Sequence, residues 1–275
     1  MKRKTKRKTK HKYTARTANK HDLYTKAVQG PEEDAAYLAR LFKRMCGRPA
    51  QLFREDFCGT AALSCAWIKQ HRDNEAIGVD LDAPTLAWGS THNVAKLTEQ
   101  QQDRLSLVHA NVLDMVRPKV DLIAAMNFSY FIFKTRDLLR QYFKVVRKSL
   151  KPDGLFLMDA FGGSESYEEL EEKRKCGGFT YVWEHARYSP VTGEILCHIH
   201  FEFNDGTRMP KAFTYDWRMW SLVEIQEILH EAGFSQVEIH WEGTDSDTGE
   251  GNGVFRKTAI GEAIESWVAY IVALP

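Results

Sequence analysis

The sequence predicts an α/β protein, a doubly wound parallel sheet with an inserted antiparallel β segment. Between Gln51 and Met158, short apolar runs alternate with helical stretches, the rhythm of strands joined by crossover helices. From Phe179 to Trp217 the pattern becomes aromatic-rich alternation, broken by an Asn204-Asp205-Gly206 turn, as in antiparallel hairpins. A hydrophobic content of 43% supplies a sizeable core and argues against wholesale disorder.

The elements follow in order. Pro31-Glu32-Glu33-Asp34 starts a helix, with proline and acids in its first turn. Ala35, Leu38, Leu41, Phe42 and Met45 give that helix an apolar face, and Gly47 and Pro49 end it. Strands are expected at 51–54, 76–79, 105–109 and 121–126, the last almost wholly apolar, as befits burial on both faces. Helices are expected at 61–70, 83–96 and 136–150. A Lys151-Pro152-Asp153-Gly154 turn leads to a strand at 155–158. After the hairpins, Ser221 and Glu224 have capping-box spacing for a helix that Gly233 stops. Strands at 236–241 and 267–274 close the fold around a polar loop. The expected division is a basic disordered tail (1–20), an N-terminal helical lid (21–49), a core (50–164), a β-rich insertion (165–220) and a C-terminal completion of the core (221–275).

Charge is divided unevenly. Residues 1–20 hold ten basic residues and no acid, leaving 28 basic against 37 acidic residues in the rest. A uniformly basic nucleic-acid binder is excluded. The tail reads as a nucleic-acid arm or nuclear-import patch, or equally as a solubilising tail. No apolar run is long enough to span a membrane. The five cysteines are odd in number and form no C-x-x-C pair, against a disulfide framework or structural zinc. They suit a reducing, cytoplasmic setting, with a nuclear one left open by the tail.

Four strand ends carry the chemistry. The first reads Glu55-Asp56-Phe57-Cys58-Gly59-Thr60-Ala61 before a helix, where a small residue lets a ligand approach the backbone and the helix offers unpaired N–H groups. Neither G-x-G-x-x-G nor G-x-x-x-x-G-K-[ST] occurs, so hydride transfer and P-loop chemistry lose support. The second end, Gly78-Val79-Asp80-Leu81-Asp82, presents a carboxylate suited to two ribose hydroxyls. Asp82 reads as a helix cap. The third end carries His109-Ala110-Asn111-Val112-Leu113-Asp114, and the fourth Met126-Asn127-Phe128-Ser129-Tyr130.

In this order the motifs resemble the class I S-adenosylmethionine (SAM)-dependent methyltransferases. The resemblance covers residues 50–160 well and the closing half loosely, where Leu229-His230-Glu231-Ala232-Gly233-Phe234 is similar to a late helix end of the family. Phe57 and Ala61 stand where glycines are usual. The resemblance implies a Rossmann-like fold, SAM as cofactor, and these roles. Glu55 lies near the methionine ammonium, and Cys58 and Gly59 lend backbone to the methionine part. Asp80 takes the ribose, Leu81 packs on adenine, and Asn111 with Val112 forms the adenine edge. Asn127 faces the sulfonium region, and Phe128 or Tyr130 the substrate. The segment before the first helix resembles a cofactor-covering lid, with Tyr24 and Gln29 as candidates.

Methyl transfer is an in-line displacement that gains chiefly from alignment. A base is needed only if the acceptor must lose a proton. The candidates near the acceptor are Tyr130, His200 and Arg218, the last suited to a carboxylate. Tyr215 is the aromatic of the insertion most expected to face a ligand. His198 and His200 share a strand face, but no third ligand has metal spacing, so no metal is expected. Methyltransferases with a hairpin lid at this place often act on small molecules. The expected function is therefore SAM-dependent methylation of a small-molecule nitrogen or oxygen acceptor. Two alternatives stand beside it: an RNA or protein methyltransferase that captures its substrate with the basic tail, and a non-catalytic SAM-binding regulator.

Overall fold

The computed structural model describes residues 12–245 and 251–275. Two helices come first, α1 (Lys20–Val28) and α2 (Pro31–Cys46). The wound unit follows: β1 (Leu52–Asp56), α3 (Ala62–Gln70), β2 (Glu75–Asp80), α4 (Ala83–His92), the short α5 (Glu99–Gln102), β3 (Leu105–His109), β4 (Val120–Ala125), α6 (Arg136–Ser149) and β5 (Leu150–Gly162). Four antiparallel strands come next: β6 (Leu170–Lys175), β7 (Phe179–Tyr188), β8 (Glu194–Phe203) and β9 (Arg208–Arg218). Then α7 (Leu222–Glu231), β10 (Gln236–Thr244), β11 (Gly251–Thr258) and β12 (Trp267–Leu274) return to the main sheet.

The main sheet has the order β11-β10-β12-β5-β4-β1-β2-β3. Its wound half is parallel, and β12, β10 and β11 add antiparallel strands beyond β5. The second sheet, β6-β7-β8-β9, is separate. The chain is thus mixed α/β, a large mostly parallel sheet with an antiparallel sheet between its two halves.

Alternation decides which residues pack where. All six residues of β4 are buried. Ile123 and Ala125 face a core with Leu139, Tyr142, Phe143 and Val146 of α6 and Ile225, Ile228 and Leu229 of α7. Leu122 and Ala124 face the opposite core, with Leu38 and Phe42 of α2 and Trp67 of α3. Each fully buried large apolar side chain stabilises by about 1.5–3 kcal/mol.

The structure refines three expectations here. The segment before α2 is helical from Lys20, capped by Asn19, whose side chain accepts the His21 N–H at 2.9 Å. Leu23 and Ala27 of α1 pack on Phe179, Ile199 and Phe201 of the second sheet. The tail boundary also moves. Residues 12–19 are not a free tail, because the Tyr13 ring stands edge-on to Phe179 and the Ala15 N–H donates to Thr207 Oγ1 at 3.0 Å. The rest of the basic run, residues 1–11, lies outside the described residues. Of the polar loop expected at 243–253, residues 246–250 lie outside the described residues, and Gly251 already begins a strand, β11, paired with β10. Among the described residues no helix is long and apolar enough to cross a membrane.

Candidate active site

The strand order reverses at β1, whose neighbours are β4 on one side and β2 on the other. A crevice opens beyond strand ends at such a switch point. Here it is a cavity of about 260 Å³, lined by Glu55 through Thr60 after β1, Asp80 and Asp82 after β2, and Met126 and Asn127 after β4. Tyr24 and Gln29 close it from the N-terminal side, and Phe213 and Tyr215 from the second sheet.

Its polar groups are held from behind. Asp80 accepts the Gly59 N–H on Oδ2 at 2.7 Å and the Asp82 N–H on Oδ1 at 2.8 Å. One lone pair on each oxygen is left for a ligand. Glu55 takes both the Ser64 N–H at 2.9 Å and the Ser64 hydroxyl at 2.5 Å on Oε2. Burial still pushes the Glu55 carboxyl up to about 8, against those two hydrogen bonds. Asp82 accepts the Thr85 N–H at 3.0 Å and so caps α4, as its position suggested. Gly89 of α4 sits hard against the turn, since a Cβ there would lie 2.5 Å from the Thr60 carbonyl oxygen. Asn93 donates to that same oxygen at 2.9 Å.

The backbone of the site is strained. Phe57, Ala61, Asn127 and Phe128 all have positive φ, between 56° and 59°. Left-handed backbone costs a non-glycine residue about 1–2 kcal/mol. Phe57 and Ala61 are the positions where glycine was expected, so the turn keeps its shape without that residue. At Asn127 and Phe128 the strain has a visible restraint. Asp159, on β5, accepts the Asn127 N–H at 2.7 Å and the Phe128 N–H at 2.8 Å. Burial pushes Asp159 up to about 7, opposed by these two bonds. No strand-end motif marks Asp159; only its place in an apolar strand, Leu155–Ala160, hints at a buried polar role.

A second cavity, of about 500 Å³, lies between the main sheet and the second sheet. Phe128, Phe161, Tyr181, Trp183 and Trp217 give it aromatic walls, with Glu165, Glu172, Arg174 and His185 among its polar groups. Tyr24, Asn127 and Tyr215 line both cavities. Burial pushes the Tyr24 and Tyr215 phenols well up, so both are neutral.

The structure brings Tyr24, Glu55, Cys58, Gly59, Asp80 and Asn127 to the first cavity. Leu81 is exposed beside it, and Asn111 and Val112 stand at the β3 end, where Asn111 accepts the Leu113 N–H at 3.0 Å. The acceptor-side candidates fall elsewhere. Tyr130 is fully buried and donates its hydroxyl to the Asp159 carbonyl oxygen at 2.9 Å, so it faces the core and Phe128 takes the cavity wall instead. His200 lies on the opposite face of the second sheet, 2.7 Å from Glu184 Oε2. Glu171, Glu184 and His200 have ligand atoms within 4.8 Å of one another, but Glu171 is already paired with Arg208 at 3.1 Å. Arg218 is engaged by Glu224 at 3.1 Å and stacks 3.8 Å from the Trp220 ring centre, outside both cavities.

No family model matches the sequence, and no curated protein matches it. Solved structures do. A SAM-dependent methyltransferase from Clostridium acetobutylicum superposes with a TM-score of 0.67 at 17% identity, covering 92% of this chain and 97% of its own. The chain has the methyltransferase fold. An amino pentose methyltransferase from Micromonospora echinaspora, solved with SAM bound, gives a TM-score of 0.62 at 14% identity over 91% of this chain and 95% of its own. A sugar N-methyltransferase from a Streptoalloteichus species gives 0.61 at 14% identity over 100% and 98%. In this methyltransferase fold, the first cavity lies at the ends of β1, β2 and β4, and the second lies between β4, β5 and β12 and the second sheet.

Proposed function

We propose that the protein is a SAM-dependent methyltransferase acting on a small-molecule nitrogen or oxygen acceptor. The observation that carries this is the shared wall: Tyr24, Asn127 and Tyr215 belong to both cavities. A donor bound in the first cavity and an acceptor in the second would meet there, as in-line transfer requires.

The first cavity fits the cofactor by its donor set. Asp80 offers two fixed carboxylate oxygens to the ribose hydroxyls. Glu55 Oε1 makes no hydrogen bond among the described residues and suits the methionine ammonium. Cys58 and Gly59 present backbone to the methionine part, and Leu81, Asn111 and Val112 are assigned to the adenine side. When bound, SAM supplies an electrophilic methyl on a positively charged sulfur. The chain's own part is then to align and to dry the waist. Asn127 is held rigid through Asp159, while Tyr24 and Tyr215 exclude water and offer neutral phenol oxygens to the cation.

The solved structures that share the fold include proteins named as sugar N- and amino pentose methyltransferases, which favours a small-molecule acceptor over RNA or protein. The five cysteines are all free, in keeping with a reducing, cytoplasmic setting. Calorimetry with SAM tests the premise. Wild type should bind, and Asp80→Ala should lose at least about tenfold in affinity, since two hydrogen bonds to a charged group are removed. A wild type that does not bind SAM sinks the reading.

A further inference from the structure

The second cavity carries a chemical preference that no strand-end motif announced. One row of the second sheet crosses Leu170, His185, Cys197 and Tyr215, all on the face that looks into the cavity. Adjacent strands are about 4.8 Å apart, so His185 stands about 10 Å along the row from Tyr215 at the waist. The next row holds Glu172, Trp183 and Ile199. Glu172 is thus placed at the mouth, His185 deeper, and Tyr215 at the transfer point.

The polar groups of this cavity are unequally committed. Arg174 donates to the Ala27 carbonyl and lies over the Tyr181 ring, 5.5 Å from its centre. Lys173 pairs with Glu202 at 2.9 Å. The side chains of Glu165 and Glu172 make no hydrogen bond or ion pair among the described residues, and Glu172 feels the charge of Glu165. Burial and then Glu165 push the Glu172 carboxyl up. His185 is 8% exposed, and its ring makes no side-chain hydrogen bond. Burial pushes its pKa down, partly opposed by a hydrogen bond with the Ser166 backbone, so the imidazole is neutral. Tyr215 and Trp217 are stacked 4.4 Å apart, with Trp183 within 5.9 Å of Tyr215.

The geometry points to a cationic amine as the acceptor, drawn in by Glu172 and Glu165, held among the Trp183, Tyr215 and Trp217 rings, and deprotonated by His185. This rests on the methyltransferase reading and names its substrate class. Aromatic faces and unpaired carboxylates attract an ammonium by its charge, whereas a neutral alcohol gains at most a hydrogen bond to the carboxylate. At the waist, dry walls and a neighbouring positive sulfur both disfavour the ammonium, lowering its pKa towards that of the imidazole. The ammonium gives one proton to the His185 imidazole as it passes from the mouth, and the neutral amine moves on to the waist. The freed nitrogen pair forms the N–C bond as the C–S bond breaks, its electrons staying on sulfur. The methylated product carries the positive charge that the sulfur lost, and the imidazolium returns its proton to water.

The test uses the full chain and two probes of one shape, cyclohexylammonium and cyclohexanol, followed by fluorescence of the cavity tryptophans. Cyclohexylammonium should bind at least about tenfold more tightly than cyclohexanol. Glu172→Gln should erase most of that difference without weakening cyclohexanol. Tritiated methyl from SAM, offered to a set of small primary amines and their alcohol counterparts, should appear in amines. His185→Asn should slow that transfer about tenfold at pH 7 and recover towards pH 9, where free amine is abundant. Probe binding that ignores charge, or label in the alcohols or in neither class, overturns the assignment. SAM calorimetry on the same preparations separates the cases. If SAM binds while the amine preference is missing, only this inference fails; if SAM does not bind, the methyltransferase reading fails with it.

Discussion

The Tyr215 phenol meets the Tyr24 phenol at the boundary between two cavities. One ring comes from a helix before the wound sheet, the other from a strand of the separate sheet. Each ring has a packing duty besides, Tyr215 on Trp217 and Tyr24 on Phe213, with centroids 5.0 Å apart for the latter pair. Tyr215→Phe keeps the stacking and removes the hydroxyl that meets Tyr24. Its thermal midpoint should stay within a few degrees of wild type, because one polar contact is worth about 1 kcal/mol. Its methyl-transfer rate should fall about tenfold, measured as S-adenosylhomocysteine release at saturating SAM.

The buried carboxyls set a pH dependence. Glu55 and Asp159 are raised to about 8 and about 7 by burial, and Asp34 to about 6 by burial and then Glu33. Unfolded carboxyls titrate near pH 4. The folded chain therefore holds more protons between those values, and stability falls as pH rises from about 4 to about 8. A cationic ligand reverses the preference, since it favours the ionised carboxylates. The ligand-free thermal midpoint should drop from pH 5 to pH 8, while the upward shift on adding SAM should grow over the same range. Glu55→Gln should flatten the upper part of both curves.

A buried ion pair supports the floor of the site. Arg54 and Asp56 are fully buried, 2.9 Å apart, and Asp56 also accepts the Tyr142 hydroxyl at 2.9 Å. Removing one partner strands a charge. Arg54→Leu should lose about 3–5 kcal/mol in urea unfolding, and Arg54→Leu with Asp56→Asn should recover part of that loss.

The two left-handed positions after β1 should respond differently to glycine. Ala61→Gly relieves strain but gives up a buried methyl and adds freedom to the unfolded chain, so its stability should lie within about 1 kcal/mol of wild type. Phe57→Gly relieves the same strain but removes a ring packed 5.7 Å from Tyr142 and 5.9 Å from Phe133. It should cost about 3 kcal/mol by the same measurement.

The wound half of the fold was legible because its signals are local. Apolar runs marked the strands, and Glu55, Asp80 and Asn127 at their ends do gather in one crevice. The second sheet resisted reading for a reason of parity. Successive strand residues face opposite sides, so a choice wrong by one residue is wrong by a whole face. Tyr215 was placed towards the ligand and lines the cavity, while His200 lies on the outer face and His185, on the inner face, went unnoticed. Both faces carry histidine and aromatic residues, and composition alone does not say which is inside. Arg218 was expected to suit a substrate carboxylate, but the carboxylate it meets is Glu224 on the next helix, which the sequence assigned to a cap. Strand β11 was hidden because an exposed edge strand needs no apolar alternation.

The shared wall also bears on how the molecule is made. Tyr24, Asn127 and Tyr215 come from early, middle and late parts of the chain, so their meeting closes very long loops. Long-range contacts of this kind form slowly, after local helices and neighbouring strands. During synthesis the wound sheet through β5 can emerge before Tyr215, the last of the three residues that join the cavities. A ribosome-held chain stopped just after residue 165 would carry Glu55 and Asp80 yet lack the partner that seats Tyr24. Cofactor capture would then follow release of the antiparallel sheet, making this protein's ligand a late participant in its folding.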